Sequence, residues 1–308
     1  MNIIESIAAV SLKEKTVVTI GTFDGVHPGH QKILDKMKLQ AQILKVPTLL
    51  LTFFPHPRMV LQQDAGLKLI NTMAEKMDLL AEKGLDYLVI QQFDKSFSRM
   101  SPEAYVEEIL VNKFNATLVV IGYDHRFGRN RSADINTLRN FGAKMGFEVL
   151  EISKEEVNEV TISSTKIRKA IAQGEIVQAN TLLGYEYFVT GTVIKGFARG
   201  RTLGFPTANI FIEENYKLLP KNGVYIVESI IDDVLCEGVL NIGTNPTFNG
   251  ADKSIEVFFI DKDFDLYGKK LKLRFKKRIR DELKFDKVTD LVLAMKQDVQ
   301  KAKEFFLN

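Results

Sequence analysis

The sequence predicts two folds in tandem: a doubly wound α/β unit built on a parallel sheet, then an antiparallel β unit closed by a helix. Three observations predict it. Through the first half, apolar runs rich in β-branched residues alternate with segments of helical period, as in a repeated βα unit whose sheet is covered on both faces. Beyond about Leu183 the runs shorten and are broken by Gly, Asn, Pro and Asp, the pattern of an antiparallel sheet or small barrel. Near the C-terminus, Val288, Leu291, Met295, Val299 and Phe305 form an apolar stripe at helical spacing.

The expected parallel strands are TVVTIGTF (16–23), PTLLLTFF (47–54), DYLVIQQF (86–93), ATLVVIGY (116–123) and FEVLEIS (147–153). Ser101-Pro102-Glu103 opens a helix, with a capping serine followed by proline at the first helical position, and another helix ends near Gly146. In the second half YFVTGTVIKGF, GVYIVESII, EGVLNIG, SIEVFFI and KLKLRFKKRI read as strands. The boundary falls near Gly184, giving domains 1–184 and 185–308.

Composition limits what these folds do. A chain of 308 residues, 45% hydrophobic and 26% charged, suffices for two domains of about 100–200 residues, each with its own core. The single cysteine, Cys236, supplies neither an internal disulfide nor a multi-cysteine zinc site. The N-terminus has an acidic residue at Glu5 and no apolar run of signal-peptide length, and no stretch approaches the roughly 20 apolar residues of a membrane span. The chain therefore reads as cytoplasmic, with no membrane partner. A net charge of +3 does not imply a nucleic-acid partner. The eight basic residues between Lys269 and Arg280 alternate with Leu271, Leu273 and Phe275; they read as a solvated strand face, with a phosphate-tracking patch as the alternative.

The four histidines, His27, His30, His56 and His125, all lie just past the C-terminal ends of three expected strands, the edge where open α/β sheets bind ligands. Taken singly, each is equally well a surface or turn residue, and no acidic or cysteine residue nearby has zinc-ligand spacing. The stretch GTFDGVHPGHQ lacks the lysine and hydroxyl of a P-loop. It does set two imidazoles at the first turn of a helix, beside free backbone N–H groups and the positive end of the dipole. Such a corner suits phosphate oxygens that gain charge as a bond breaks. Further on, the hydroxyls of Ser163, Ser164 and Thr165 open a helix closed by Gly174, with Lys166 and Arg168 adding cations near an anion-binding N-terminus; a plain capped helix is the ordinary alternative.

These residues carry a resemblance. GTFDGVHPGH resembles the H-x-G-H element of the nucleotidylyltransferase superfamily, whose two histidines stabilise the α- and β-phosphates of ATP. Together with FFPHPR (53–58), GYDHRFGRNRSAD (122–134) and ISSTKIRKAIAQGE (162–175), it resembles the adenylyltransferase half of the bacterial bifunctional riboflavin kinase/FMN adenylyltransferases. The resemblance implies a Rossmann-like unit in which His27 and His30 are catalytic. It implies that Gly21, Phe23, Asp24, Gly29, His30, Asp124, Arg126, Ser163, Ser164, Thr165 and Arg168 bind ATP, and that Pro55, His56, Pro57 and Arg58 bind flavin. The chain departs from the family pattern at Thr22, commonly Asn, and at Asp124-His125, often Asn-Phe.

In the second half, the glycines and arginines of GTVIKGFARGRTLGFPTANI (191–210) suit either a hairpin or backbone wrapped around phosphates. Thr207 and Asn209 project from one face of an extended segment, where a hydroxyl and an amide oxygen can share a hard cation; capping a hairpin is the alternative. Glu256 stands among large apolar residues in SIEVFFI, where desolvation would favour the neutral carboxyl and make it a proton acceptor for an alcohol; alternatively it is an outward-facing strand residue. With NGVY, NIGTNPTF, DLYG and RIRDELKF, residues 185–308 resemble the riboflavin kinase domain. That resemblance implies a six-stranded antiparallel barrel with a terminal helix. Gly196, Gly200, Arg201, Gly204, Thr207 and Asn209 would bind ATP, Thr207 and Asn209 would hold Mg²⁺ or Mn²⁺, Glu256 would activate the ribityl hydroxyl, and Arg280, Leu283 and Phe285 would lie along the flavin.

The activity so implied is conversion of riboflavin and ATP to FMN, then of FMN and ATP to FAD and pyrophosphate. One rival is an adenylyltransferase whose second domain only binds flavin or regulates; another is a flavin-storing or RNA-binding protein that uses the basic strand.

Overall fold

The computed structural model describes the chain apart from residues 62–65, 124, 154–161, 197–202, 248–249, 263 and 308. Its contacts group into two units, 1–68 with 73–164, and 69–72 with 165–308.

The first unit is a six-stranded parallel sheet in the order β1-β4-β3-β2-β5-β6. Its strands are β1 (Asn2–Ile4), β2 (Thr16–Ile20), β3 (Thr48–Phe54), β4 (Tyr87–Gln92), β5 (Ala116–Gly122) and β6 (Glu148–Ile152). All of β2 is buried, as a strand covered on both faces must be. The five expected strands form at nearly the expected bounds. β1 was not expected: three residues are too few for a period, and parallel pairing with Tyr87–Val89 alone defines it.

Helices α1 (Pro28–Leu44), α2 (Pro57–Leu61), α3 (Met73–Glu82), α4 (Pro102–Ala104) and α5 (Ile135–Met145) connect the strands. Ser101 caps α4 by accepting from Ala104 N at 3.1 Å, and the helix runs on as a π-helical stretch over Tyr105–Val111. Gly146 ends α5 at φ 86°, a left-handed conformation that glycine adopts without a Cβ clash. Val18, Leu49, Leu51, Val119 and Ile121 pack against Tyr105, Val106, Ile109, Leu110 and Phe114 in the core.

The second unit is a closed antiparallel barrel, β10-β11-β8-β7-β12-β9. Its strands are β7 (Phe188–Ile194), β8 (Ala208–Phe211), β9 (Gly223–Ile231), β10 (Val234–Thr247), β11 (Gly250–Phe259) and β12 (Lys270–Arg280). Closure leaves no edge strand unpaired. Helices α6 (Ser164–Gln173) and α7 (Ile176–Leu183) precede it and α8 (Val288–Leu307) follows. Leu271, Leu273 and Phe275 face the core as expected. Half of the eight cations from Lys269 to Arg280 are paired: Lys276 with Glu186 and Glu228, Arg278 with Asp281, Arg280 with Asp298 and, just before β12, Lys269 with Asp232.

The stripe expected on α8 needs correction. Val288 and Phe305 are exposed; Asp298 and Ala302 are buried, and Val299 and Phe306 pack against Ile226 and Ile260. The helical phase therefore runs through Phe306, four residues beyond Ala302.

Two polar side chains, half-buried Asn180 and buried Lys217, tie the second unit together. Asn180 accepts from Tyr187 N at 2.7 Å and donates to Phe275 O at 2.9 Å, joining α7 to β12 and to the residue before β7. Lys217 donates to Ile70 O at 2.7 Å and Phe188 O at 2.8 Å, with the Tyr187 ring 4.7 Å away. Asn180→Ala leaves both backbone groups without that partner, and should cost about 1–3 kcal/mol, read as a lower denaturation midpoint at unchanged m-value.

Candidate functional site

In the first unit, β3, β2 and β5 are adjacent and parallel, so the loops after them share one edge. The loop after β2 is tightly held. Gly21 N donates to Leu51 O at 3.0 Å, and the Thr22 carbonyl accepts from Lys76 Nζ at 2.8 Å and Thr52 Oγ1 at 3.3 Å. Thr22 thus contributes its backbone carbonyl to two hydrogen bonds. Phe23, Gly25 and Val26 then take φ of 47°, 88° and 38°. Left-handed backbone is costly for a β-branched residue and persists only where its surroundings over-determine it. Here Ser164 Oγ donates to Asp24 O at 3.0 Å and Gln31 Nε2 to Val26 O at 2.9 Å.

The turn delivers His27 as the N-cap of α1, with Pro28 as its first residue and no side-chain capping bond. The first-turn N–H groups lack intrahelical acceptors and face the start of a 17-residue helix, an anion-binding geometry. His27 and His30 stack at 3.8 Å and 19°, and Phe23 stacks on His30 at 4.6 Å and 29°. Burial, then the neighbouring His27 and Lys76 charges, holds the His30 imidazole well below its usual range. Its Nδ1 is buried with no hydrogen-bond partner among the described residues. Protonation would place an unpaired N–H there, which adds to burial in favouring the neutral ring at pH 7.

Gly21, Phe23, Asp24, His27, Gly29 and His30 therefore lie in one loop and helix start. His56 ends up buried after β3, its Nδ1 accepting from Arg58 N at 3.1 Å, which shapes the Pro55–Arg58 turn. After β5, His125 stacks on Phe127 at 6.1 Å; desolvation, with the Arg131 charge, lowers it to about 4. Arg126 is exposed. Ser163 and Ser164 belong to the first unit and Thr165 and Arg168 to the second, where Arg168 Nη2 lies 3.4 Å from Thr165 Oγ1. Asp124, Gly200 and Arg201 lie outside the described residues.

In the second unit, the register sets Glu256 opposite Asn209 on one side and Asn241 on the other, and Thr207 Oγ1 donates to Glu256 Oε2 at 3.1 Å. Gly196 lies close against the Asn209 amide: a Cβ there would stand 2.1 Å from Nδ2, so a larger residue would have to displace that side chain. Glu256 is not buried among its apolar neighbours, contrary to the sequence expectation. Ile255, Val257 and Phe259 point to the core, and alternation turns Glu256 to the other, half-exposed face. Gly204 is exposed with φ 81°, Leu283 is exposed, Phe285 is half-buried, and the Arg280 guanidinium is held by Asp298 at 2.6 and 3.0 Å.

Sequence reasoning missed Lys76 and Asn241. Lys76 had a signal: it stands three and four residues before Leu79 and Leu80 on the buried stripe of α3. Asn241 had none, because only strand register brings it to Glu256.

Two family models match, FAD synthetase over residues 9–166 and riboflavin kinase over 183–306. The bifunctional riboflavin kinase/FMN adenylyltransferase of Listeria monocytogenes is 38% identical over 94% of this chain and 92% of its own. That of Escherichia coli K12 is 34% identical over 96% and 94%. A crystal structure described as a macrolide-efflux protein from Streptococcus pneumoniae superposes with a TM-score of 0.88 at 31% identity, over 98% of each chain. Among the described residues of this chain, no helix is long and apolar enough to cross a membrane.

The depressed His30 has a measurable consequence. The unfolded chain takes up this proton near 6.5 and the folded chain at lower pH, so below about 6.5 the unfolded state binds more protons. Stability from this group is therefore complete above 6.5 and is lost on acidification. In NMR, the His30 ring should titrate clearly below 6.5, and His30→Gln should flatten the fall of Tm between about pH 6.5 and 5; a His30 midpoint at 6.5 or above contradicts this.

Proposed function

Because the chain belongs to the bifunctional riboflavin kinase/FMN adenylyltransferase family, it is a transferase that phosphorylates riboflavin to FMN and adenylylates FMN to FAD; we propose how its residues divide that work. Residues 1–184 perform adenylyl transfer and 185–308 perform the phosphorylation, in the cytoplasm and without a nucleic-acid or membrane partner.

The observation that carries the first assignment is the Phe23–His30–His27 stack at the start of α1. A neutral His30 donates Nε2–H to a phosphate oxygen of ATP, and His27 supports it. Both are fixed before reaction, so the charge that develops as pyrophosphate leaves meets donors already in place. Gly21, Phe23, Asp24, Gly29, Asp124, Arg126, Ser163, Ser164, Thr165 and Arg168 bind the rest of ATP, and Pro55–Arg58 meets the flavin.

In the second unit, the hydroxyl of Thr207, the amide of Asn209 and the Glu256 carboxylate form a hard-oxygen donor set of the kind magnesium or manganese takes alongside phosphates. Thr207 and Asn209 would hold the ion, which when bound offsets phosphate charge. Glu256, half-exposed on the same face, accepts the proton of the ribityl 5′-hydroxyl. Gly196, Gly200, Arg201 and Gly204 wrap ATP, and Arg280, Leu283 and Phe285 border the flavin.

Chromatography of riboflavin, FMN and FAD after incubation with ATP and Mg²⁺ tests both halves. His30→Ala should lower FAD formation at least tenfold while FMN formation changes little; equal loss of both contradicts a local role. Glu256→Gln keeps shape and removes the base, a change worth roughly 10²–10⁴ in rate. Riboflavin phosphorylation should fall by that order with riboflavin affinity and FAD formation near normal, and a variant within about threefold of the parent rate removes Glu256 as base.

A further inference from the structure

The loop after β2 lacks the lysine that phosphate-binding loops commonly carry in sequence. A lysine reaches that loop from elsewhere. Lys76, on α3, is only 3% exposed, and its hydrogen bond to the Thr22 carbonyl at 2.8 Å is the one it makes among the described residues. An ammonium has three donors, so this cation is buried and incompletely satisfied, an expensive arrangement. The contrast within the chain is direct: Lys217, equally buried, meets two carbonyls and an aromatic face. Lys217 is what a structural lysine looks like here. A methionine at position 76 would fill the same space on the α3 stripe without the cost of burying charge.

Resting on the adenylyl-transfer reading above, we propose that Lys76 is a positioning residue for that reaction: it fixes the strained 22–26 turn through the Thr22 carbonyl and sets the electrostatic environment of the imidazole stack. The charged and titratable groups concerned are Asp24 and His27 of the turn, His30 of α1 and Lys76 of α3. The Thr22 carbonyl immediately precedes Phe23, whose φ of 47° puts its ring on His30, so a shift at Thr22 displaces the stack. The Lys76 charge opposes a positive charge on His30 and so, beside burial and His27, favours the neutral imidazole. Burial lowers Lys76 itself to about 8, with Asp24 opposing the shift. This turn-and-stack assembly therefore changes charge in mildly alkaline solution, where an ordinary lysine does not.

The test uses the full-length protein as wild type, Lys76→Met and His30→Ala, with histidine and lysine side chains labelled for NMR. In Lys76→Met the His30 midpoint should rise towards 6.5, FAD formation from FMN should fall at least tenfold, and riboflavin phosphorylation should stay within twofold. A folded Lys76→Met with an unmoved His30 midpoint, or with adenylylation within threefold of wild type, overturns the proposal. Should that variant not fold, the wild type decides: a Lys76 resonance titrating near 8, in step with the alkaline limb of FAD formation, supports the role. Titration near the ordinary 10.5, or an alkaline limb elsewhere, overturns it. The two readings fail separately: wild type that makes no FAD, or His30→Ala that makes it normally, refutes the adenylyl-transfer reading, whereas the His30 midpoint reports on Lys76 without ATP.

Discussion

Parallel pairing makes every strand of the first unit finish on the same edge, and the candidate adenylyl-transfer site is assembled by that constraint. With β2 flanked by β3 and β5, the loops carrying His27 and His30, His56 and His125 begin side by side, though the histidines are separated by up to about a hundred residues of sequence. The bonds at Gly21 and at the Thr22 carbonyl refine this placement. They join the end of β2 to β3 and to α3 and hold Phe23 and Val26 in conformations those residues otherwise avoid. Strain is thus concentrated at the turn that presents the imidazoles.

The barrel solves a different problem with alternation. Each strand sends one face inward, so the residues that fill the core and those of the candidate site are neighbours in sequence and opposites in space. Glu256 lies between two core residues yet meets Thr207, Asn209 and Asn241 on the other face. On β12 the same rule puts Leu271, Leu273 and Phe275 inside and the cations outside, where carboxylates from elsewhere in the unit pair with Lys276 and Arg280.

Buried charge divides into two kinds in this molecule. Buried Lys217 and half-buried Arg280 are met by several acceptors, which anchors strands. Lys76 is buried and His30 and His125 are half-buried, all with fewer partners, so desolvation dominates and pulls all three down. Groups of the second kind stand at the loop edge of the parallel sheet, where their charge state is a variable the chemistry can use.

By itself the sequence determined the two fold classes, most strand positions and the helix ends at Ser101, Gly146 and Gly174, because burial period, capping and left-handed glycine are local properties; the four-residue β8 was not among the expected strands. It also determined most of the first site, since the turn from Gly21 to His30 is continuous in the chain. Tertiary structure decided what depends on distant partners. β1 exists only through pairing with β4. The buried phase of α8 passes through Ala302 and Phe306 because of what packs beneath it. Barrel register brings Asn209 and Asn241 to Glu256. Lys76 joins the His30 loop because a helix some fifty residues later in sequence packs its buried stripe towards the Thr22 carbonyl, and no pattern along the chain encodes that meeting.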